Sequence, residues 1–382
     1  MREGAADDTA RTQPGLSWYR TSSARGLGFY PTIALLTMAD SEQQVFRLPR
    51  PLRLESGAVL SHVEVAYHTF GRLNASRDNV VWVCHALTAN AEVESWWPGL
   101  FGVGTHFDPA DWFVVCANVL GSCYGSTGPL TSNPETGTAA YHEFPLLTIR
   151  DLVTAHEALR EHLALPRVHT LIGGSLGGQQ AVEWAIQRPS LFENLVLLAT
   201  NARHSAWGIA FNEAQRLAIF ADPTYEQATP DGGAAGLRAA RAMALLSYRS
   251  YDAYGRTQTE PNDEVLQDFL ASSYQRYQGD KLVARFNAYS YVSLSRSMDS
   301  HHVGRGRGGV ATALGRIQAR TLIIGISSDV LFPPAEQQVL ARHIRGATYA
   351  EMDSAYGHDG FLIETAQITH FLERFYVQTY VH

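Results

Sequence analysis

The chain has 382 residues, 45% hydrophobic and 18% charged, with a formal net charge of −7. That length holds two domains or one large α/β domain with an insertion, and the apolar share is enough for an ample core. The acidic balance argues against a mainly electrostatic nucleic-acid binder, and no apolar run reaches the length of a membrane-spanning helix.

Residues 1–45 read as a flexible extension. Within them "GLGFYPTIALLTMA" (26–39) has the apolar character of a secretory signal. Pro31 interrupts it, and a polar stretch with Glu3, Asp7 and Asp8 precedes it, so the match is poor. Met38 is an alternative start, because "MADSEQQVFRLPRPLRL" reads like an ordinary enzyme N-terminus. The three cysteines, Cys84, Cys116 and Cys123, are too few for a disulfide framework and too scattered for a zinc site. They read as buried free thiols in a reducing, cytoplasmic compartment.

Strand character runs from Phe46 to Phe70: "VFRLPRPLRLE", a turn at "ESG", then "LSHVEVAYHTFG" with period-two alternation. "NVVWVCHA" (79–86) and "WFVVCANVLG" (112–121) are short continuous apolar runs, the form taken by strands buried on both faces. A loop rich in Gly, Ser, Thr and Pro follows, then a helix from about Thr148 to Leu163. "VHTLIG" is a strand leading into "GGSLGG", Gln179 to Gln187 is helical, and "LVLLAT" (195–200) is the next strand. "ARTLIIGIS" (319–327) and "ATYAEMD" (347–353) return to strand character, and the last residues are helical. Strands alternating with helices imply a mostly parallel sheet flanked by helices.

Between about Asn201 and Gly309 that alternation stops. "AFNEAQRLAIF", "GLRAARAMALLSY", "EVLQDFLASSYQRY" and "ARFNAYSYVSLSRSM" are helix-like, with no convincing strand among them. Residues 201–309 therefore read as a helical cap inserted into a core made of 46–200 and 310–382. The loop "GRGRGG" (304–309) spells G-x-G-x-x-G, but it follows a helix and has no acidic partner at the right distance. It reads as a flexible connection between cap and core.

The chemistry centres on "LIGGSLGGQQAVEWA" (171–185). A strand that turns into a helix at one residue forces that residue into a strained conformation and presses its neighbours together. Gly173 and Gly177 suit that crowding, and Gly174 and Gly178 would relax the turn further. This is G-x-S-x-G, the nucleophile elbow of α/β hydrolases, which lifts a serine Oγ above the sheet. A serine hydroxyl needs a base, and the base needs an orienting carboxylate. Asp329, in "LIIGISSDVLFPP", directly follows a late apolar strand, and His358, in "SAYGHDGF", lies on a Gly-flanked loop after the next one. His301 and His302 precede Asp329 in the cap, and His343 lies within a helix. Order and spacing converge on Ser175, Asp329 and His358. The oxyanion donors would be the backbone N–H of Leu176 and that of Leu87 or a neighbour in "CHALTAN" (84–90), with His85 supporting the loop. No metal site is expected.

Several longer segments resemble the homoserine O-acetyltransferases of the α/β-hydrolase superfamily. They are "HALTA" (85–89), "NVLGSCYGSTGPLTSNPETG" (118–137), "FPLLTIRDLV" (144–153), "GGSLGGQQAVEWA" (173–185), "ARAMALLSYRS" (240–250), "SRSMDSHHVGRGRGG" (295–309) and "SAYGHDGFLIE" (354–364). The resemblance spans about residues 46 to 368. It departs at Ala89, where the family has glycine, and at Glu92 and Glu94, which would lie by the acyl pocket. It implies transfer of an acyl group from acyl-coenzyme A, a co-substrate rather than a resident cofactor, through Ser175 to a small hydroxy-amino acid. By the same resemblance Arg241 and Tyr248 grip the acceptor's carboxylate, Asp359 meets its ammonium group, and the protein is a homodimer. Acetyl-coenzyme A and L-homoserine are the first expectation. A succinyl-coenzyme A donor, an L-serine acceptor, or plain ester or thioester hydrolysis with the same triad are the alternatives.

Overall fold

The computed structural model describes residues 42–377; the signal-like run and Met38 lie outside the described residues. The strands are β1 (Gln44–Arg47), β2 (Leu52–Arg53), β3 (Val59–Leu60), β4 (Glu64–Phe70), β5 (Val80–Cys84), β6 (Phe113–Ala117), β7 (Val168–Gly174), β8 (Phe192–Leu198), β9 (Arg320–Ile326) and β10 (Thr348–Met352). Eight form one sheet in the order β1-β4-β6-β5-β7-β8-β9-β10, and β2 pairs with β3 apart from it. β1, β4 and β6 pair antiparallel. From β6 to β10 every pairing is parallel.

The continuous apolar runs follow from that position. On one face of the sheet Val80, Trp82, Leu171, Leu195 and Ile323 join one core. On the other, Val81, Val83, Ile172, Val196 and Ile324 join a second. A strand with both neighbours paired and both faces covered has no polar face to show. Helices Ile149–His162 and Leu176–Gln187 cover the first face, and Thr365–Val377 covers the second through Ile368, Leu372 and Phe375. The helix Ile149–His162 starts with a reciprocal capping box between Thr148 and Asp151.

Between β8 and β9 the chain builds helices Ala206–Phe220, Ala234–Tyr248, Tyr251–Gln258, Leu270–Val283 and Ala288–Asp299. Ser205, Ser250 and Asn287 cap three of them through their side chains. Two details differ from the sequence reading. The third helix was not anticipated, and the helix expected from Glu264 begins only at Leu270. Asp268 takes a φ of 58°, which ends any helical path through that residue.

"GRGRGG" is not a flexible connection. Arg307 closes on both carboxylate oxygens of Glu183, at 2.8 and 2.5 Å, and that glutamate side chain is only 2% exposed. Arg305 holds Glu55 through Nε and Nη2 at 3.1 and 2.8 Å, and Arg150 reaches the same carboxylate at 2.8 Å. Both loop arginines are thus engaged by carboxylates from the core. The cysteines also need one correction: Cys84 and Cys116 are buried, but Cys123 is half-buried. Among the described residues no helix is long and apolar enough to cross a membrane.

Four buried histidines make the fold acid-sensitive. Burial pushes His85 and His156 down to about 4 and His204 and His301 down to about 3. Each is neutral in the fold and regains its ordinary affinity, near 6.5, once unfolded. Below about pH 6.5 the unfolded chain therefore binds more protons, and stability is lost as pH falls toward 4. Burial raises Asp299 and Glu336, which opposes this only in part. The urea midpoint should fall steadily from pH 7 to pH 5, and a flat profile would contradict the burial of these rings.

Candidate active site

The parallel strands β5, β7, β9 and β10 end at the same edge of the sheet, and the loops leaving them carry the site residues. Ser175 is the first residue beyond β7, with φ 57° and ψ −124°. A non-glycine residue there costs on the order of 1–3 kcal/mol and persists only where its surroundings fix it. Its N–H donates to the Leu198 carbonyl at 3.0 Å, and its own carbonyl accepts from Gln179 N at 3.1 Å and Thr200 Oγ1 at 2.9 Å.

Gly173 and Gly177 meet the crowding expected of them, but Gly174 and Gly178 do not act as expected. None of the four has a positive φ, so they do not relax the turn; Ser175 alone carries the strain. They are contact surfaces. A Cβ on Gly173 would lie 2.3 Å from the Gly177 carbonyl oxygen, and one on Gly177 would lie 2.0 Å from that of Cys84. Gly174 makes room for the Phe361 ring and Gly178 for the Thr200 side chain.

His358 Nε2 lies 2.8 Å from Ser175 Oγ, and its Nδ1 lies 2.7 Å from Asp329 Oδ2. All three side chains are buried. Asp329 Oδ1 accepts from the N–H groups of Leu331 and Phe332 at 2.8 and 2.9 Å, so the carboxylate is held by its own turn and does not cap the helix that begins at Pro334. The imidazole stacks on Phe332 at 5.1 Å and meets the edge of Phe361 at 5.4 Å. Ser328 Oγ supports its loop by donating to the Ser354 carbonyl and accepting from Gly357 N.

Neither Leu87 N–H nor Leu176 N–H has an acceptor among the described residues. His85 lies beneath the first: its Nε2 accepts from Val119 N at 3.0 Å, which leaves the ring proton on Nδ1 for the Ala86 carbonyl at 2.8 Å.

The cap supplies the remaining groups. Tyr248 ends the helix Ala234–Tyr248 with its ring 5.9 Å from that of His358. The Arg241 guanidinium stands 5.5 Å from the Tyr248 ring, one helical face up. Burial pushes the Tyr248 phenol up, and Arg241 opposes that shift. Asp359 neither caps the helical turn after it nor stands alone: it is ion-paired with Arg249 Nε at 2.8 Å. Sequence reasoning missed Arg249, although it lies inside the quoted segment "ARAMALLSYRS". Glu92 is exposed, Glu94 is raised by burial and by Asp108, and neither carboxylate bonds to Ser175, His358 or Asp329.

The closest packing is the sharpest test of this geometry. Gly177→Ala should lower stability by about 3 kcal/mol or more, because a backbone carbonyl cannot yield as a side chain would. Gly255→Ala, in the helix Tyr251–Gln258 with open space around it, should be neutral or slightly stabilising. Thermal unfolding of the pair checks both, and equal midpoints would contradict the contact.

Comparison with known proteins agrees with this architecture. A family model described as the alpha/beta hydrolase fold matches residues 79–365. A homoserine O-acetyltransferase of Cyclobacterium marinum is 47% identical over 339 residues, covering 89% of this chain and 96% of its own. Among solved structures, esterase E22 superposes with a TM-score of 0.80 at 22% identity, covering 87% of this chain and 99% of that one. A homoserine O-acetyltransferase from Bacillus anthracis superposes with a TM-score of 0.80 at 23% identity, covering 88% and 98%. At that identity the two superpositions show the fold alone. The relative's near-half identity over almost its whole length carries the rest: this chain belongs to the homoserine O-acetyltransferase family, on the α/β-hydrolase fold.

Proposed function

We propose that this chain transfers an acetyl group from acetyl-coenzyme A to the hydroxyl of L-homoserine, a step that feeds methionine synthesis. The observation that carries this is a hydrogen-bonded Ser175–His358–Asp329 line whose histidine also packs against Tyr248, with the Arg241 cation directly behind that ring. A hydrolase has use for the first three residues and none for the last two. Succinyl transfer, an L-serine acceptor and plain hydrolysis are not favoured, since the curated relative at 47% identity is named for homoserine and acetyl.

Catalysis runs in two halves. Ser175 Oγ gives its proton to His358 Nε2 and attacks the thioester carbonyl; the oxyanion is met by the N–H groups of Leu87 and Leu176. When the C–S bond breaks, the departing thiolate takes the proton from His358, leaving acetyl-Ser175. The acceptor's hydroxyl then gives its proton to His358 and attacks the ester, and Ser175 Oγ is reprotonated as it leaves. Asp329 holds the ring in the required tautomer throughout and offsets the imidazolium charge. Arg241 and Tyr248 hold the acceptor's carboxylate. Asp359 takes its ammonium group while sharing its charge with Arg249. Coenzyme A is a co-substrate, and these steps need no resident cofactor or metal. The cap narrows the approach and keeps water from the acyl-serine. A cytoplasmic setting accords with three unbridged cysteines.

We also propose that the protein is a homodimer. Two cap helices that pack on each other leave leucines in water: Leu217 is 58% exposed and Leu246 60%. Exposed leucines on these helices suit burial against a second copy of the chain. Light scattering after Leu217→Glu plus Leu246→Glu should report a monomer, and a wild type that is itself monomeric would contradict the proposal.

The activity is tested by thiol release from acetyl-coenzyme A and succinyl-coenzyme A, with no acceptor, L-homoserine or L-serine. Sustained release beyond one thiol per enzyme should require acetyl-coenzyme A and L-homoserine together, and all release should vanish in Ser175→Ala. Arg241→Gln should raise the acceptor KM at least tenfold, as expected when a charge-assisted bond to a carboxylate is lost (about 1.5–3 kcal/mol). Continuous turnover of the thioester without any acceptor, beyond one thiol per enzyme, would make the protein a hydrolase.

A further inference from the structure

The two oxyanion donors belong to segments far apart in the chain: Leu87 follows β5, and Leu176 opens the helix after β7. Two N–H groups stabilise one oxygen only when both lie about 2.7–3.1 Å from it. Their spacing is therefore a tertiary property that something must hold. One side chain spans the two segments. Gln180, fully buried in the first turns of the helix Leu176–Gln187, donates through Nε2 to the His85 carbonyl at 3.2 Å and to the Leu176 carbonyl at 3.1 Å. Its Oε1 is anchored in turn by His156 Nε2 at 2.9 Å, which must carry the proton because the amide nitrogen is already spent on two carbonyls.

His85 completes the arrangement. The Ala86 carbonyl accepts from His85 Nδ1 at 2.8 Å and from Ala89 N at 3.1 Å. That carbonyl and the Leu87 N–H share one planar trans peptide, in which they point in opposite directions. Fixing the first aims the second. We propose that Gln180 is a positioning residue that sets the distance between the Leu87 and Leu176 N–H groups, while His85 sets the direction of the former. The inference rests on the acyl-serine reading above. Gln179, its equally buried neighbour, bonds instead to Asn201 and His204 and has no part in the clamp.

The test is the infrared band of the acetyl carbonyl on Ser175, formed from carbonyl-labelled acetyl-coenzyme A without acceptor. Gln180→Met keeps the side-chain length without the N–H groups, and Gln180→Ala removes the chain. His156→Phe leaves Gln180 in place but unanchored, and serves should neither Gln180 variant fold. Gln179→Met controls for general destabilisation. The band should move to higher wavenumber in the Gln180 and His156 variants and stay in place in Gln179→Met. The kcat of both half-reactions should fall together, by roughly tenfold to hundredfold, with the acceptor KM unchanged. A folded Gln180 variant with the wild-type band and rates would overturn the proposal, whatever its melting temperature. So would an equal shift of the band in Gln179→Met. A wild type that forms no acetyl-Ser175 would overturn the acyl-serine reading, and this inference with it.

Discussion

The contact on which the site depends is between Gly177 and the carbonyl of Cys84, where a Cβ would come within 2.0 Å of the oxygen. It brings the start of the helix after β7 against the end of β5, and so brings the segments of Leu176 and Leu87 side by side. The same approach holds Ser175 in its positive-φ conformation, because the strand before it and the helix after it are both fixed by packing. A turn costing on the order of 1–3 kcal/mol survives only because the buried sheet on either side does not yield. Stability of the core and readiness of the nucleophile are therefore one property in this chain.

Around that contact the sheet acts as a ruler. β7, β9 and β10 deliver Ser175, Asp329 and His358 from the same edge, and short local bonds finish the placement. The cap then meets the histidine loop directly. Ser250 Oγ donates to the Ala355 carbonyl, Arg249 pairs with Asp359, and Tyr248 packs on His358. Three consecutive residues thus join the cap to the loop of the base, so the proposed acceptor grip and the proton relay share one junction.

Most of the sheet and the Ser-His-Asp line were legible in the sequence, because each is written in local terms: apolar runs between turns, glycines about a serine, and one acid and one histidine after successive strands. What was not legible depends on partners distant in sequence. "GRGRGG" looked loose because Glu55 and Glu183, which hold its arginines, lie far from it in the chain. Gly174 and Gly178 looked like turn residues because Phe361 and Thr200, which they admit, are not adjacent. Arg249 was passed over because its partner Asp359 is 110 positions away. The helix Tyr251–Gln258 was missed because it is short, carries Gly255 and buries only Ala253, and its Ser250 cap reads as any other serine.

The central claim is that Ser175 carries the acetyl group between donor and acceptor. The most direct measurement is the intact mass of the protein after mixing with acetyl-coenzyme A, followed by peptide mapping, before and after L-homoserine is added. The account predicts a gain of one acetyl group on the peptide containing Ser175, lost on adding L-homoserine with formation of the acetylated amino acid. A protein that turns over while Ser175 is never acetylated would contradict it.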